Sequence, residues 1–343
     1  MPASLALTIL LAAQPPSPSA QPPRFEDTVE VERILVDVRV VDGRGRPIEG
    51  LVAADFRVRI DDEDVGIESV QWVSGTRPYS SGLDPRQAAG ARAQAAPPGR
   101  LIVFLFQKDL SPSRVTGLVR MQKEAAKLLD TLTPGDRIAV LSFDSHLKLW
   151  ADFTDDHDRL RRVVERSVLF QGHPAYAESP FPSLAAGFDR RAARRAGSIE
   201  KGLRVVAEAL EPLPGAKSLV LFGWGFGRFS RLGVQMEPDY EPASRALGRA
   251  RVSVFCLDVT NADYHSLELG LQTVAHDTGG FYSRTHLFTR PALDRLKGAL
   301  AGHYVVAVER PSRRKGSHEI RVDLVDRKGT VMAKRSYADA PFD

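Results

Sequence analysis

The sequence has 343 residues, of which 43% are hydrophobic and 26% charged, ordinary proportions for a folded protein. Lys and Arg number 47 against 43 Asp and Glu, so the formal net charge is only +4. This composition excludes a disordered acidic chain and a polytopic membrane protein, and it gives no reason to expect nucleic acid as a partner. Because Cys256 is the only cysteine, no intramolecular disulfide and no multi-cysteine zinc site can form.

The N-terminus has the features of an export signal. Residues 1–20 carry no charged side chain and include an apolar run, Leu5–Ala13, that is too short to span a bilayer. Small residues follow the run, so we expect a signal peptide over residues 1–20. The run lacks a preceding Lys or Arg, and a plain N-terminal tail is the alternative. Residues 21–27 continue as a Pro-rich spacer.

Strand patterns dominate residues 28–75. Apolar and polar side chains alternate in Val29–Val41, and two further strand patterns follow at Phe56–Ile60 and Ile67–Val73. These patterns predict a small antiparallel β module. Residues 76–99 are rich in Gly, Ala, Pro and Ser and predict a flexible linker.

Residues 100–310 alternate between apolar strand patterns and amphipathic helix patterns. We predict buried strands at Leu101–Phe106, Arg137–Phe143, Lys217–Phe222 and Arg251–Asp258, with helices between them. This alternation predicts an α/β fold with a doubly wound, mostly parallel sheet. In the extension over residues 311–343, the patterns Ser317–Asp326 and Val331–Tyr337 flank a turn at 327–329 and predict a C-terminal β-hairpin.

The segment Leu35–Phe56, LVDVRVVDGRGRPIEGLVAADF, closely matches a pattern that precedes the A domain in the bacterial VWFA-related domain proteins. Pro134–Ala139, Val252–Phe255 and Thr278–Gly280 match the same family further along the chain. The chain resembles this family over residues 28–338, and its residues 100–300 resemble a von Willebrand factor A domain. The resemblance implies an α/β domain that binds other proteins.

Von Willebrand factor A domains hold a divalent cation in a metal-ion-dependent adhesion site, built from a D-x-S-x-S loop, a threonine and a third-loop aspartate. Here Gln107 stands where the first aspartate is expected, and a D-x-S-x-S sequence occurs two residues later as Asp109, Ser111 and Ser113. Trp224 stands where the third-loop aspartate is expected. We therefore expect a degenerate site with no metal and no other cofactor. The alternative is metal-dependent adhesion with Mg²⁺ on Asp109, Ser111 and Ser113.

Two groups of residues are candidates for contact with a partner, because ligands of open α/β sheets bind at the carboxyl edge of the strands. The first group follows the strand Lys217–Phe222, and the second is a basic stretch on an irregular insertion. They comprise Gly223, Trp224 and Gly225, and Arg190, Arg191, Arg194 and Arg195. A solvated helix face is the alternative interpretation of the arginines.

These features predict an exported, non-catalytic protein that binds another protein in the periplasm or outside the cell. The sequence contains neither a G-x-S-x-G nor a P-loop motif, and Cys256 falls within a predicted buried strand, so we expect no enzyme activity. We expect no membrane span and no nucleic-acid partner. The alternative is a scaffolding protein whose β module, residues 28–75, accepts a partner strand at its sheet edge.

Overall fold

The computed structural model describes residues 33–74, 99–133, 135–167, 176–180, 182–231, 233–310 and 316–338. The predicted signal peptide (1–20), the predicted spacer (21–27) and all of the predicted linker except Gly99 lie outside these ranges. Residues Glu32–Asp343 form one compact unit. No helix in the described ranges is long and apolar enough to cross a membrane.

The described residues form sixteen strands and seven α-helices. The strands are β1 (Arg33–Val41), β2 (Phe56–Ile60), β3 (Glu63–Val65), β4 (Ile67–Ser74), β5 (Leu101–Gln107), β6 (Arg137–Phe143), β7 (Leu147–Thr154), β8 (Lys217–Gly223), β9 (Arg228–Ser230), β10 (Gly233–Gln235), β11 (Val252–Asp258), β12 (Tyr282–Arg284), β13 (Gly302–Glu309), β14 (Ser317–Leu324), β15 (Thr330–Ala333) and β16 (Ser336–Ala338). The helices are α1 (Pro112–Leu129), α2 (His157–Arg162), α3 (Arg190–Arg195), α4 (Ile199–Leu210), α5 (Tyr240–Arg249), α6 (Glu268–Asp277) and α7 (Thr289–Ala301).

The central sheet has six strands in the order β12-β11-β8-β5-β6-β7. All neighbours are parallel except β7, which runs antiparallel to β6. The middle strand β5 is buried on both faces: Val103 and Leu105 pack into one core, and Phe104 and Phe106 into the other. The predicted fold class, a mostly parallel α/β sheet accompanied by small antiparallel sheets, is confirmed. Strand β7 was not predicted, and it extends the sheet beyond β6.

The strands of the predicted β module do not form a sheet by themselves. They combine with the last strands of the chain into two antiparallel sheets, β15-β1-β13-β4 and β16-β14-β2-β3. We call these two sheets together the β-sandwich. The two sheets enclose a separate apolar core that includes Val36, Val58, Tyr304 and Val322. A module of residues 28–75 is too short to bury such a core alone, and the C-terminal strands supply the missing half. The predicted domain boundaries stay predictions.

The predicted C-terminal hairpin does not form in the expected way. Strand β14 pairs with β2 and, over its first three residues, with β16, whereas β15 pairs with β1. The single strand predicted at Val331–Tyr337 is interrupted at 334–335, so that β15 and β16 lie in opposite sheets. Pairing across the β-sandwich allows β14 to bury Ile320 and Val322 against the N-terminal strands, which a two-stranded hairpin cannot do.

A buried arginine joins this β-sandwich to the central sheet. The Arg39 side chain on β1 is 3% exposed and donates to Ala299 O of α7 at 3.0 Å, to Ser253 Oγ at 2.7 Å and to Ser218 Oγ at 3.5 Å. Burial lowers the pKa of Arg39 to about 10, so the guanidinium stays charged at neutral pH. Ser218 and Ser253 are the second residues of β8 and β11, so the sandwich covers the amino edge of the parallel strands.

Three further side chains complete this joint. Arg251, which has a φ of +53°, donates through Nε to Asp37 Oδ2 at 2.9 Å, and His303 Nε2 lies 3.5 Å from Asp37 Oδ1. Burial alone would raise the pKa of Asp37, but the hydrogen bond and charge of Arg251 outweigh it and hold that pKa below its usual value. Gly298 on α7 is required here, because a Cβ would lie 1.8 Å from the carbonyl oxygen of Gly45.

The joint makes stability depend on pH. Burial lowers the pKa of His303 to about 4, against about 6.5 in an unfolded chain. Between pH 6.5 and pH 4, His303 is protonated in the unfolded chain but neutral in the folded protein. The contribution of His303 to the free energy of unfolding is therefore fully present above pH 6.5 and is lost as the pH falls to 4. The loss amounts to about 3 kcal/mol. Urea unfolding at pH 7 and pH 4.5 will show a smaller loss for His303→Gln than for wild type or the control His286→Gln. Equal losses in all three proteins would contradict this account.

Candidate functional site

The loops that follow β5, β8, β11 and β12 meet at the carboxyl edge of the central sheet, because these four strands are parallel neighbours. The β-sandwich covers the opposite edge, so the carboxyl edge is formed by these loops. Two of the three sequence-based site predictions, the D-x-S-x-S loop and the Gly-Trp-Gly loop, lie here. They follow β5 and β8 respectively.

Gln107 at the end of β5 binds the loop that follows β8. Its Nε2 donates to Gly225 O at 2.9 Å, and its Oε1 accepts from the backbone amides of Trp224 at 2.9 Å and Gly225 at 3.3 Å. Gly225 has a φ of +156°, and a Cβ at this position would lie 2.5 Å from Leu267 Cβ. Gly223 and Gly225 are both buried. The two glycines therefore serve close packing, and the amides of Trp224 and Gly225 are already engaged by a side chain.

Asp109 is held within its own loop. Its Oδ1 accepts from the Ser111 amide at 2.7 Å, and its Oδ2 pairs with Arg114 on α1. Burial acts to raise the pKa of Asp109, but these hydrogen bonds outweigh it and lower that pKa, so the carboxylate is charged. Ser111 precedes α1 at the N-cap position, but its hydroxyl makes no capping hydrogen bond. Ser113 contributes a backbone carbonyl, which accepts from the Asn261 amide at 2.7 Å.

Arg114 connects the two predicted loops. Its guanidinium carbon lies 3.7 Å from the centroid of the Trp224 ring, a cation–π contact, while the same guanidinium pairs with Asp109. Asp109, Arg114 and Trp224 thus form one connected unit. The positive charge beside Asp109 is therefore supplied by the Arg114 side chain.

Sequence reasoning missed a second polar cluster, beside the first, at the ends of β11 and β12. Asp258 Oδ2 lies 2.7 Å from His265 Nε2. The single proton of the Tyr282 hydroxyl is within reach of two acceptors, Asp258 at 2.8 Å and Glu268 at 3.0 Å. Arg284 closes the cluster with a bidentate ion pair to Glu268. Asp258 ends a strand that the sequence did predict, which places it at the carboxyl edge. The spacing of three positions between His265 and Glu268 was the other feature of the sequence that pointed to this cluster.

The acidic residues of this cluster have hydrogen-bond partners within it. Asp258, His265 and Glu268 bring three potential metal-ligand atoms within 4.8 Å of one another. Burial acts to raise the pKa of Glu268, but hydrogen bonds from Arg284 and Tyr282 outweigh it and lower that pKa. Burial and the two carboxylates raise the pKa of the Tyr282 hydroxyl, which therefore stays protonated and acts as a donor. The Arg284 guanidinium forms an ion pair with Glu268, one of the three potential ligands.

Exposed apolar side chains lie in the segments that form this edge. Of eight large hydrophobic residues that are exposed in the described ranges, six lie on the loops after β5, β11 and β12, on β9 after β8, or at the start of α6. We call them the carboxyl-edge patch: Leu110, Phe229, Tyr264, Leu269, Leu287 and Phe288. Phe288 is 73% exposed and Phe229 is 69% exposed. Their gathering at one edge of the sheet makes this edge a candidate site of association.

The predicted arginine group lies elsewhere. Arg190, Arg191, Arg194 and Arg195 are all on α3, which contacts β7 at the outer end of the sheet. Strand β7 is three strands from β8, about 14 Å across the sheet. Arg190 pairs with Glu178 at 3.6 Å and lies over the Tyr176 ring, and the arginines share no hydrogen bond, ion pair or ring contact with Gly223, Trp224 or Gly225. The arginines and the Gly-Trp-Gly loop do not form one site.

No family profile matches the chain, and no curated protein is similar to it in sequence. Among solved structures, the conserved hypothetical protein BatB from Bacteroides thetaiotaomicron is similar at 13% identity, over 59% of this chain and 97% of that one, with a TM-score of 0.41. A von Willebrand factor type A protein from Catenulispora acidiphila is similar at 10% identity, over 85% of this chain and 74% of that one, with a TM-score of 0.44.

A third structure, proximal thread matrix protein 1 from the mussel byssus with a zinc-occupied MIDAS motif, is similar at 14% identity. The match covers 62% of this chain and 48% of that one, with a TM-score of 0.41. The occupied motif belongs to that protein. In the present chain, Gln107 and Trp224 stand where the sequence resemblance leads us to expect the first-loop and third-loop aspartates of such a motif.

The Gln107 amide is expected to stabilise the carboxyl edge. Gln107→Ala removes one donor and one acceptor that serve three hydrogen bonds, and it leaves buried backbone groups of Trp224 and Gly225 without partners. We expect a loss of about 2–3 kcal/mol in the free energy of unfolding. The control Gln235→Ala, at an exposed position on β10, will change stability by less than about 0.5 kcal/mol. Urea denaturation measures both, and equal effects would show that the Gln107 amide contributes nothing.

Proposed function

We propose that this chain is a non-catalytic protein that binds another protein through the carboxyl-edge patch. The observation that carries the proposal is the placement of six exposed apolar side chains on the segments that directly follow four adjacent parallel strands. Isolated apolar residues on a surface are ordinary, but aromatic and aliphatic side chains gathered at one edge resemble the apolar centre of a protein interface. The partner is therefore a protein with a complementary apolar surface.

The binding is proposed to be independent of metal. Gln107 uses both its amide atoms on the Trp224 loop, and Asp109 is paired with Arg114. The acidic group beside them, Asp258 and Glu268, is paired with Tyr282 and Arg284. Two of these carboxylates, Asp109 and Glu268, are thus each paired with an arginine, which weakens their attraction for a cation.

The same pairing supports a role in binding over one in catalysis. A general acid or base needs an unengaged group of suitable pKa in a cleft, and Asp258 and Glu268 are both 2% exposed and hydrogen-bonded. Cys256 is fully buried within β11, and its burial raises the pKa of the thiol, which keeps it from acting as a thiolate nucleophile. Together with the signal-like residues 1–20, the proposal assigns the protein to the periplasm or the cell exterior, where its partner would also be.

Metal independence is tested by thermal unfolding with and without millimolar Mg²⁺, Mn²⁺ or Ca²⁺. A cation that binds only the folded state would add about 2.7 kcal/mol of stability at one hundred times its dissociation constant. We expect the midpoint Tm of wild type to be unchanged by each cation, as for the control Asp109→Ala. A rise in wild type that disappears in Asp109→Ala would restore the metal-dependent alternative.

The binding surface is tested by site-specific photo-crosslinking. A benzophenone amino acid is placed at Phe288 or, as the control, at Val52, which is an exposed apolar residue on the β-sandwich. In extracts of the cells that make the protein, we expect one discrete adduct from position 288 and none from position 52. The substitutions Leu110→Ser and Phe229→Ser in the same chain should reduce the adduct at least about tenfold, because they remove apolar contact area.

Two results would contradict the proposed surface. One is an adduct of equal yield from positions 288 and 52, which would indicate non-specific capture. The other is an adduct at position 288 that persists undiminished when Leu110 and Phe229 are both serine, because the partner would then make no use of the patch.

A further inference from the structure

The β-sandwich has two long sides that are built differently. On one side the chain passes directly from β3 in one sheet to β4 in the other through Gly66, whose carbonyl accepts from the Glu309 amide at 3.2 Å. The pairing of β4 with β13 is also interrupted by a register shift at 307/308, a feature that discourages further strand addition. On the other side, β15 is the last strand of its sheet, and β14 is covered by β16 only over Ser317–Glu319.

The uncovered part of β14 presents backbone groups to this side. Glu319 O accepts from the Asp61 amide on the β2 side, whereas the Ile320 amide donates to Arg335 O on the opposite side at 2.7 Å. Alternate residues of an antiparallel strand direct their backbone groups to opposite sides. The amide and carbonyl of Val322 therefore point away from β2, and beyond Glu319 no strand in the described ranges pairs with that side.

A groove of about 530 Å³ lies between the open sides of β14 and β15. Six charged residues line it, four of them basic: Glu319, Arg321, Asp323, Arg327, Lys334 and Arg335. Arg321 and Arg327 have acidic partners, but the exposed Arg335 forms no ion pair with a described residue. Lys334 is largely buried, which lowers its pKa, and it also lines a cavity beside Asp37. The groove therefore combines outward strand backbone with a net excess of basic side chains, of which Arg335 is exposed and unpaired among the described residues.

We propose that this groove binds an extended, acidic segment of a partner protein, which adds as a strand along β14. The added strand would satisfy the outward backbone groups at Val322, and its acidic side chains would lie near Lys334 and Arg335. A second copy of this chain fits less well, because pairing two copies of the same edge would bring two basic grooves together. The site lies on the β-sandwich and is separate from the carboxyl-edge patch.

Peptide binding tests the proposal directly. The probe is a fluorescently labelled peptide of about eight residues in which Glu and Val alternate, a length typical of a strand. Two matched peptides serve as controls: one with Lys in place of each Glu, and one with Pro at two central positions, which cannot donate in a strand ladder. By fluorescence anisotropy, the full chain should bind the Glu peptide at least about tenfold more tightly than either control.

A charge-reversed variant tests the location. Arg321 and Arg335 are both exposed lining residues, so Arg321→Glu with Arg335→Glu should preserve the fold and weaken binding of the Glu peptide at least about tenfold. The matched control, Arg194→Glu with Arg195→Glu, makes the same change in net charge on α3 and should leave binding unchanged. An equal loss of peptide binding in both variants would show that only the overall charge of the protein matters, and it would overturn the proposed site.

Hydrogen exchange supplies an independent readout. On addition of the Glu peptide, exchange of the Val322 amide should slow, while amides of β4 on the opposite side keep their rates. The proposal is overturned if the peptide fails to bind, if it protects amides elsewhere, or if Val322 is protected in a concentration-dependent dimer without any peptide. The last result would assign the edge to a second copy of the chain.

Discussion

The fold depends on Arg39, a buried guanidinium with no carboxylate among its hydrogen-bond acceptors. Arg39 is satisfied by three neutral acceptors, the Ala299 carbonyl and the hydroxyls of Ser218 and Ser253, while Asp37 is engaged by its own arginine. Removing a charge from water is costly unless every donor finds a partner. Because the three acceptors come from α7, β8 and β11, they fix where β1, and with it the whole β-sandwich, meets the amino edge of the parallel sheet.

This arrangement determines which surfaces remain for partners. With the amino edge covered, the loops at the carboxyl edge are left to contact other molecules, and there the protein provides its own positive charges. Arg114 forms an ion pair with Asp109, and Arg284 forms one with Glu268, so these charged groups are paired within the protein. Six exposed apolar side chains lie at the same edge, among polar ones. The proposed binding of a partner protein depends on these apolar side chains.

The sequence indicated the central sheet because strands buried on both faces are continuous apolar runs, as in Leu101–Phe106. It did not indicate how the outer strands pair. Strand β1 finds β13 about 270 residues away, and such distant pairing leaves no local pattern. The polar cluster around Asp258 was also missed, because its members are brought together by the fold. By contrast, the expectation of a degenerate metal site came from the residue identities at Gln107 and Trp224 alone, and it stays a prediction.

The central claim is that Arg39 couples the β-sandwich and the parallel sheet into one cooperative structure. Differential scanning calorimetry tests it most directly. The account predicts one transition for wild type, with equal calorimetric and van't Hoff enthalpies. It also predicts that Arg39→Met costs about 3 kcal/mol and lowers Tm by several degrees, while Arg44→Met, at an exposed position, leaves Tm unchanged. Two separate transitions in wild type, or the same Tm for both variants, would contradict it.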